Sequence, residues 1–308
     1  MNQDLAADYV LAHDLNARIT TTWNGGLGWE PVGKPGNPFT GTLDGAGHAI
    51  NGLVINRRSE SYVGLFGAIS GGARVSNVAI PQATTIRGGN YVGRIAGSAD
   101  NAVIENVIVA GPTLGNNYIG GLFGIGGAGL VVRNSIVSEF GGSGNYYVGG
   151  IGGSLEGGTI TNCRVLNRVK GYRYVGGIVG ELKGGSQIVD CFSTALIDSN
   201  GYAGGIAGRS IADSAPSRIL RCFGGGRVLG FEYIGGIVGV NGFQSEIEEC
   251  FSFAAIGYSN TIPGIGGLVG SDAGGTVSNS FWDNEVSKRT TSAGGIGLST
   301  AEMQTMAP

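Results

Sequence analysis

The chain has 308 residues, of which 62 are glycine, 13% are charged and 42% are hydrophobic, and its formal net charge is −3. That balance excludes a disordered linker, which is poor in apolar residues, and a helical domain, which so much glycine would unwind. The absence of a Lys/Arg block removes the counterion-release drive for nucleic-acid binding, and no apolar run approaches the roughly 20 residues of a membrane helix.

The N-terminus, Met1-Asn2-Gln3-Asp4, has no basic segment leading into an apolar core, so no secretory leader is expected here. If the protein is exported, the chain reads as a mature or excised segment. Residues 1–60 have their own character, with Tyr9-Val10-Leu11-Ala12, then Trp23-Asn24-Gly25-Gly26-Leu27-Gly28-Trp29, then Phe39 to Ile55. They are expected to form an N-terminal cap together with the first turns of a stacked repeat, because such a stack exposes its core and strand edges at each end.

From residue 61 one phrase recurs. It reads Tyr62-Val63-Gly64-Leu65-Phe66-Gly67, Tyr91-Val92-Gly93-Arg94-Ile95-Ala96-Gly97 and Tyr118-Ile119-Gly120-Gly121-Leu122-Phe123-Gly124, continues from Tyr147, Tyr174, Tyr202 and Tyr233, and ends at Gly264 to Gly270. A second phrase trails each copy by about ten residues: Val75-Ser76-Asn77, Ile104-Glu105-Asn106, Val132-Arg133-Asn134, Ile160-Thr161-Asn162-Cys163, Ile188-Val189-Asp190-Cys191, Ile219-Leu220-Arg221-Cys222, Ile247-Glu248-Glu249-Cys250 and Val277-Ser278-Asn279. Both markers keep a period of 27 to 31 residues, giving eight repeats over 61–280. Each period holds two or three short apolar stretches separated by Gly, Asn and Ser, and none has a sustained helical pattern. Such a unit cannot bury its own apolar face, whereas stacked copies bury one continuous core. The expected fold is therefore all-β: a right-handed parallel β-helix (β-solenoid) of about ten turns, with strands about 4.8 Å apart along a rod of about 50 Å. After residue 280, Phe281-Trp282-Asp283 closes the last copy and Ser299-Thr300-Ala301-Glu302 is a capping box for one short helix, so 281–308 is expected to be a C-terminal cap.

Stacking turns the repeats into ladders. Asn77, Asn106, Asn134 and Asn162 form an amide ladder suited to left-handed turns, and Asp190, Arg221 and Glu249 continue it with alternating charge before Asn279. Cys163, Cys191, Cys222 and Cys250 share one position in four successive turns. Rungs about 4.8 Å apart are too far for disulfides, whose Cβ atoms sit about 3.8 Å apart, so a buried thiol ladder is expected, the redox state being left open.

The phrase Tyr-Val-Gly-Gly-Ile-Val-Gly, at Tyr174 to Gly180, resembles the GLUG repeat of large bacterial surface proteins, including adhesins of the filamentous haemagglutinin type and some surface-bound IgA proteases. Residues 23–56 and 281–304 resemble the segments that flank those repeats on either side. The resemblance implies a secreted or surface-displayed solenoid of bacterial type. Its motifs are specific for architecture and poor for activity, because in the proteases that carry the repeat the catalytic domain is a separate part of the chain.

Chemistry has few footholds. His13 and His48 are the only histidines, without a Cys or second His at ligand spacing, so neither a metal site nor a Ser-His-Asp arrangement is expected; His48 reads as part of the Asp44-Gly45-Ala46-Gly47 turn. Asp190 and Glu249 could serve as a glycosidase pair only across two turns, and the charge ladder already accounts for them. Aromatic ladders remain: Phe192, Phe223, Phe251 and Phe281, and the tyrosines, of which Tyr118, Tyr147, Tyr174, Tyr202 and Tyr233 are the candidate ligand-binding residues. Their rings either stack on one another or offer a stripe for sugar.

The leading expectation is a non-enzymatic, surface-displayed or secreted adhesin-like stalk or binding segment with a glycan or other cell-surface ligand as partner. No cofactor, nucleic acid or membrane insertion is expected. The alternatives are a carbohydrate-active β-helix enzyme, a lyase or hydrolase with its site on the irregular turn Arg209 to Arg218 that holds Asp213 and Pro216, and an inert spacer.

Overall fold

The computed structural model describes residues 1–81, 85–138, 141–257 and 264–305. Short strands wind into a parallel β-solenoid in which every strand ladder joins successive turns in register. Each turn visits four faces in chain order. In the turn that begins at Val103, the first face takes Val103–Glu105, the second Ile108–Ala110, the third Thr113–Leu114 with Asn117–Gly120, and the fourth Phe123–Gly126. The first face stacks ten strands, the second nine and the fourth eight, so about eight turns carry all four faces. The two extra rungs of the first face come from the N-terminal residues, where Tyr9–Val10 pairs with Thr42–Asp44, which pairs with Arg74–Ser76, and the extra rung of the second face is Ile296–Leu298 at the C-terminal end.

The sequence suggested two or three apolar stretches per turn, and the structure has four or five strands. The reason is that many strands are only two or three residues long, one residue pointing inward with corners on either side. On the first face the inward residues are Leu43, Val75, Ile104, Val132, Ile160, Ile188, Ile219 and Ile247, all aligned and at most 2% exposed. Burying each contributes about 2–3 kcal/mol. Since the core is a column, removing one side chain leaves a gap that chain on all four faces frames.

Leaving the first face, the chain turns through a left-handed residue in every repeat. Asn77, Asn106, Asn134, Asn162, Asp190, Arg221, Glu249 and Asn279 all have φ between 45° and 53°. Asn and Asp tolerate that conformation by bonding locally, and here they also bond along the stack. Asn77 Nδ2 donates to Asp44 Oδ1, Asn106 Nδ2 to Asn77 Oδ1 at 3.0 Å, and Asn162 Nδ2 to Asn134 Oδ1 at 2.8 Å. Arg221 donates through two nitrogens to both oxygens of Asp190, at 2.7 and 3.0 Å. The charge ladder stops there: no ion pair joins Arg221 to Glu249 among the described residues, although Glu249 still attracts its charge.

The glycine phrase marks the corner between the third and fourth faces, where turns approach most closely. A Cβ on Gly150 would lie 2.2 Å from the carbonyl oxygen of Gly177 and 2.3 Å from Val165 Cγ1. No side chain fits between them. The second repeat nonetheless carries Arg94 at this position, and its side chain is fully buried, with Nη1 donating to the carbonyls of Gly111 and Pro112 at 3.1 Å each.

The ends differ. At the N-terminal end a 3-10 segment, Arg18–Gly26, and the Trp23–Trp29 stack border a cavity of about 360 Å³ that Val10, Leu15 and Ile19 also line. At the C-terminal end two helices form where one was expected. Asp283 caps Asn284–Ser287 by accepting from the amides of Glu285 and Val286, and the capping box of Ser299 and Glu302 starts Thr300–Thr305. Trp282 and Met303 are buried beneath them. Residues 306–308 of the expected C-terminal cap lie outside the described residues.

Candidate functional site

Tyr62, Tyr91, Tyr118, Tyr147, Tyr174, Tyr202 and Tyr233 sit just before the glycine corner, one per turn, and all seven are left-handed, with φ from 53° to 62°. For a bulky residue that conformation costs about 1–2 kcal/mol. Ring stacking offsets it: successive centroids are 4.6–4.9 Å apart, and the planes are within 15° of parallel from Tyr62 to Tyr174, opening to 30–38° beyond it. Aromatic pairs contribute about 0.5–1.5 kcal/mol each beyond their buried area, and an inner ring has two partners.

All five candidate residues, Tyr118, Tyr147, Tyr174, Tyr202 and Tyr233, thus belong to one row. Its geometry restricts what the row can do. Ring faces are occupied by neighbouring rings, so a ligand meets ring edges and hydroxyls. Every ring is half-buried, and no phenol oxygen in the row hydrogen-bonds another described residue. Burial, with smaller contributions from neighbouring phenols and acids, raises the phenol pKa of Tyr62, Tyr118 and Tyr147 above the usual 10.0. At neutral pH these hydroxyls are protonated and both donate and accept.

The fourth face borders the row. A groove of about 420 Å³ is lined by Tyr62, Ser98, Asp100, Ile125 and Glu156. Gly127 opens it, since a Cβ there would overlap Asp100 Oδ1, and burial raises the Asp100 carboxyl above its usual range. Along the same face Glu181, in register with Ser154 and Arg209, is buried and ion-paired to Arg209. The Arg209 guanidinium carbon lies 4.7 Å from the Tyr174 ring centre, and that of Arg173 lies 4.6 Å from Tyr202. Two cations therefore lie over the part of the row where the rings tilt apart.

One aromatic pair falls outside the repeat pattern. Tyr146 and Tyr172 are 39% and 49% exposed and meet edge to face at 5.9 Å on the third face. Their signal in the sequence is the doubling of tyrosine at Tyr146-Tyr147 and Tyr172/Tyr174, which breaks the one-per-turn rule. On the second face, Phe192 stacks on Phe223 at 4.9 Å and Phe251 on Phe281 at 5.7 Å, while Phe223 also leans on Phe253.

The remaining candidates resolve into structure. His48 Nδ1 lies 3.2 Å from Asp14 Oδ1, which also accepts from the Ala49 amide, and His13 Nδ1 lies 2.9 Å from the neighbouring Asp14 carbonyl oxygen. The four cysteines are free and buried in one column, and burial together with bonds to Cys191 and Cys250 holds the Cys222 thiol well above its usual pKa. Asp190 is tied to Arg221, which holds its carboxyl below the usual range. In the irregular turn, Ser217 Oγ donates to the Ile211 carbonyl, and Arg218 pairs with Glu246. Among the described residues, no three His, Cys, Asp or Glu side chains converge as a metal site. No helix there is long and apolar enough to cross a membrane.

Comparisons with known proteins agree with the repeat. Residues 144–170 match the family model described as the GLUG motif, and the same phrase recurs in register along the coil. Halomucin of Haloquadratum walsbyi is 39% identical over 129 residues, covering 41% of this chain. A protein of Evansella cellulosilytica provisionally named a Gly-rich membrane protein is 31% identical over 322 aligned residues, covering 91% of this chain. The chain spans only 1% of the length of the first and 37% of the second. A crystal structure from Bacteroides ovatus, provisionally titled an immunoglobulin A1 protease, superposes with a TM-score of 0.50 at 20% identity, covering 96% of this chain and 79% of that one. At that identity the likeness is one of fold.

Proposed function

We propose that this GLUG-repeat solenoid is a non-enzymatic binding segment of a surface or membrane-associated protein, and that it holds a glycan along the tyrosine row. The carrying observation is the row itself: seven half-buried phenols, spaced 4.6–4.9 Å apart, with hydroxyls that no other described residue engages. A rigid array of protonated hydroxyls beside a groove with Asp100 and Glu156 suits a ligand that is itself a regular series of hydroxyls, and the protein side is ordered beforehand. The surface or membrane setting is supported by relatives named halomucin and a Gly-rich membrane protein. The resemblance to filamentous haemagglutinin-type adhesins belongs to this proposal.

The test is a glycan array probed with the purified chain and with a Tyr147→Phe/Tyr174→Phe double variant. Phenylalanine keeps the stack and removes only the hydroxyls. Saturable binding that weakens in the variant supports the row as the ligand surface. Absence of binding rejects it in favour of a spacer, and equal binding by both proteins rejects the tyrosine row as the ligand surface.

A further inference from the structure

Most arginines at the surface of this coil have a carboxylate partner. Arg74 and Arg133 share Glu105, Arg168 pairs with Asp198, Arg173 with Glu232, Arg209 with Glu181, Arg218 with Glu246 and Arg221 with Asp190. Arg18, Arg164 and Arg227 have no ion pair among the described residues, and neither do Arg58 and Arg87, which sit together. These last two come from adjacent turns and line one cleft of about 200 Å³ on the third face with Leu114 and Asn116, and Gly88 and Gly115 also border it. The bond to Arg58 is from its Nε to Asn56 Oδ1 at 3.3 Å, and Arg87 has no ion pair among the described residues. Asn56 is the residue in register with Arg87 one turn earlier, so that amide aligns one guanidinium without neutralising it.

The column continues. Arg87, Leu114, Ser143 and Lys170 occupy successive rungs, placing the exposed Lys170 three turns, about 14 Å, beyond Arg87, also without an ion pair among the described residues. In a chain of net charge −3, the stretch from Arg58 and Arg87 to Lys170 holds no carboxylate on this column until Asp198, in register with Lys170 on the next rung and ion-paired to Arg168, and it begins in a concavity. Guanidinium is planar and presents paired donors that match the two oxygens of a carboxylate, an amide such as Asn116 adds a donor, and the Leu114 side chain offers an apolar wall for a sugar ring.

From this we infer that the Arg58–Arg87–Asn116 cleft is an anion-binding subsite for the carboxylates of an acidic polysaccharide lying along the coil axis, with Lys170 meeting a later carboxylate. The cleft shares no residue with the tyrosine row, and the inference stands independently of it.

The experiment measures binding of the chain to polygalacturonate and to its fully methyl-esterified form, which keeps the backbone and removes the charge. Duplex DNA serves as a polyanion without uronates. Wild type is expected to bind the acid form in a salt-dependent way and to bind the ester and DNA weakly. An Arg58→Gln/Arg87→Gln variant, checked by thermal melting, should lose about tenfold or more, the scale of a lost bidentate charged contact. Lys170→Gln should lose less, and Tyr147→Phe/Tyr174→Phe should bind polygalacturonate like wild type. Equal binding of the acid and ester forms, no loss in the arginine variant, or DNA bound as tightly as polygalacturonate would overturn the inference. Loss confined to the tyrosine variant would assign the polymer to the row and overturn it too.

Discussion

Gly124 packs directly on the main chain of Tyr91 in the preceding turn: a Cβ on the glycine would stand 2.5 Å from the tyrosine carbonyl carbon. The contact repeats as Gly153 on Tyr118 and Gly180 on Tyr147, each at 2.6 Å, so the last glycine of one repeat phrase seats the tyrosine of the one before it. This ties the two ends of the motif together across turns rather than within one.

Gly124→Ala should therefore destabilise the coil by about 1–3 kcal/mol or more, because backbone, not a flexible side chain, must move aside. Gly36→Ala, at φ 86° with open space around it, should cost only about 1–2 kcal/mol of backbone strain. Urea unfolding of both variants measures the difference, and equal losses would remove the packing account.

In the middle of the row, Tyr147→Ala loses both stacking partners and should cost about 3 kcal/mol. Tyr147→Phe should change stability by less than about 0.5 kcal/mol, since the hydroxyl has no partner among the described residues. Thermal denaturation distinguishes the two, and a large loss in the phenylalanine variant would show that the hydroxyl is held internally after all.

Arg94 is a cation buried in a corner that elsewhere admits only glycine, and burial pushes its guanidinium down to about 9, leaving it charged at neutral pH. Arg94→Met keeps the volume and strands the Gly111 and Pro112 carbonyls it serves. A loss of about 3–5 kcal/mol in chemical denaturation is expected, as for breaking other buried charged contacts.

Alkaline pH should weaken the fold through the tyrosines. Burial raises the folded-state pKa of Tyr62, Tyr118 and Tyr147 above the unfolded value of 10.0. Their contribution is thus fully present below pH 10 and is lost as pH rises through the higher folded values, since the unfolded chain releases those protons first. Absorbance titration at the phenolate band should show some tyrosines ionising later than free tyrosine and together with loss of the β signal in circular dichroism. Full ionisation at the ordinary value with the fold intact would contradict this.

The buried thiols offer a direct check of the core. A thiol reagent should find none of Cys163, Cys191, Cys222 and Cys250 reactive in the folded protein and all four reactive in denaturant. Reaction of any of them under native conditions would place that rung at the surface.

The sequence by itself determined the period, the register and the identity of the ladders. A side chain repeated every 27 to 31 residues must lie over its copy once the turns stack, so Asn77 over Asn106, Cys163 over Cys191 and Tyr118 over Tyr147 come from spacing alone. Tertiary structure decided what local sequence does not encode: the number of faces per turn, the left-handed φ of the tyrosines, and the stopping of the charge ladder at Arg221. It also decided which cations remain without a carboxylate, because Arg58, Arg87 and Lys170 look like any others in the sequence. Their neighbours come from adjacent turns, and a charge is neutralised by what lies across space, not by what precedes it in the chain.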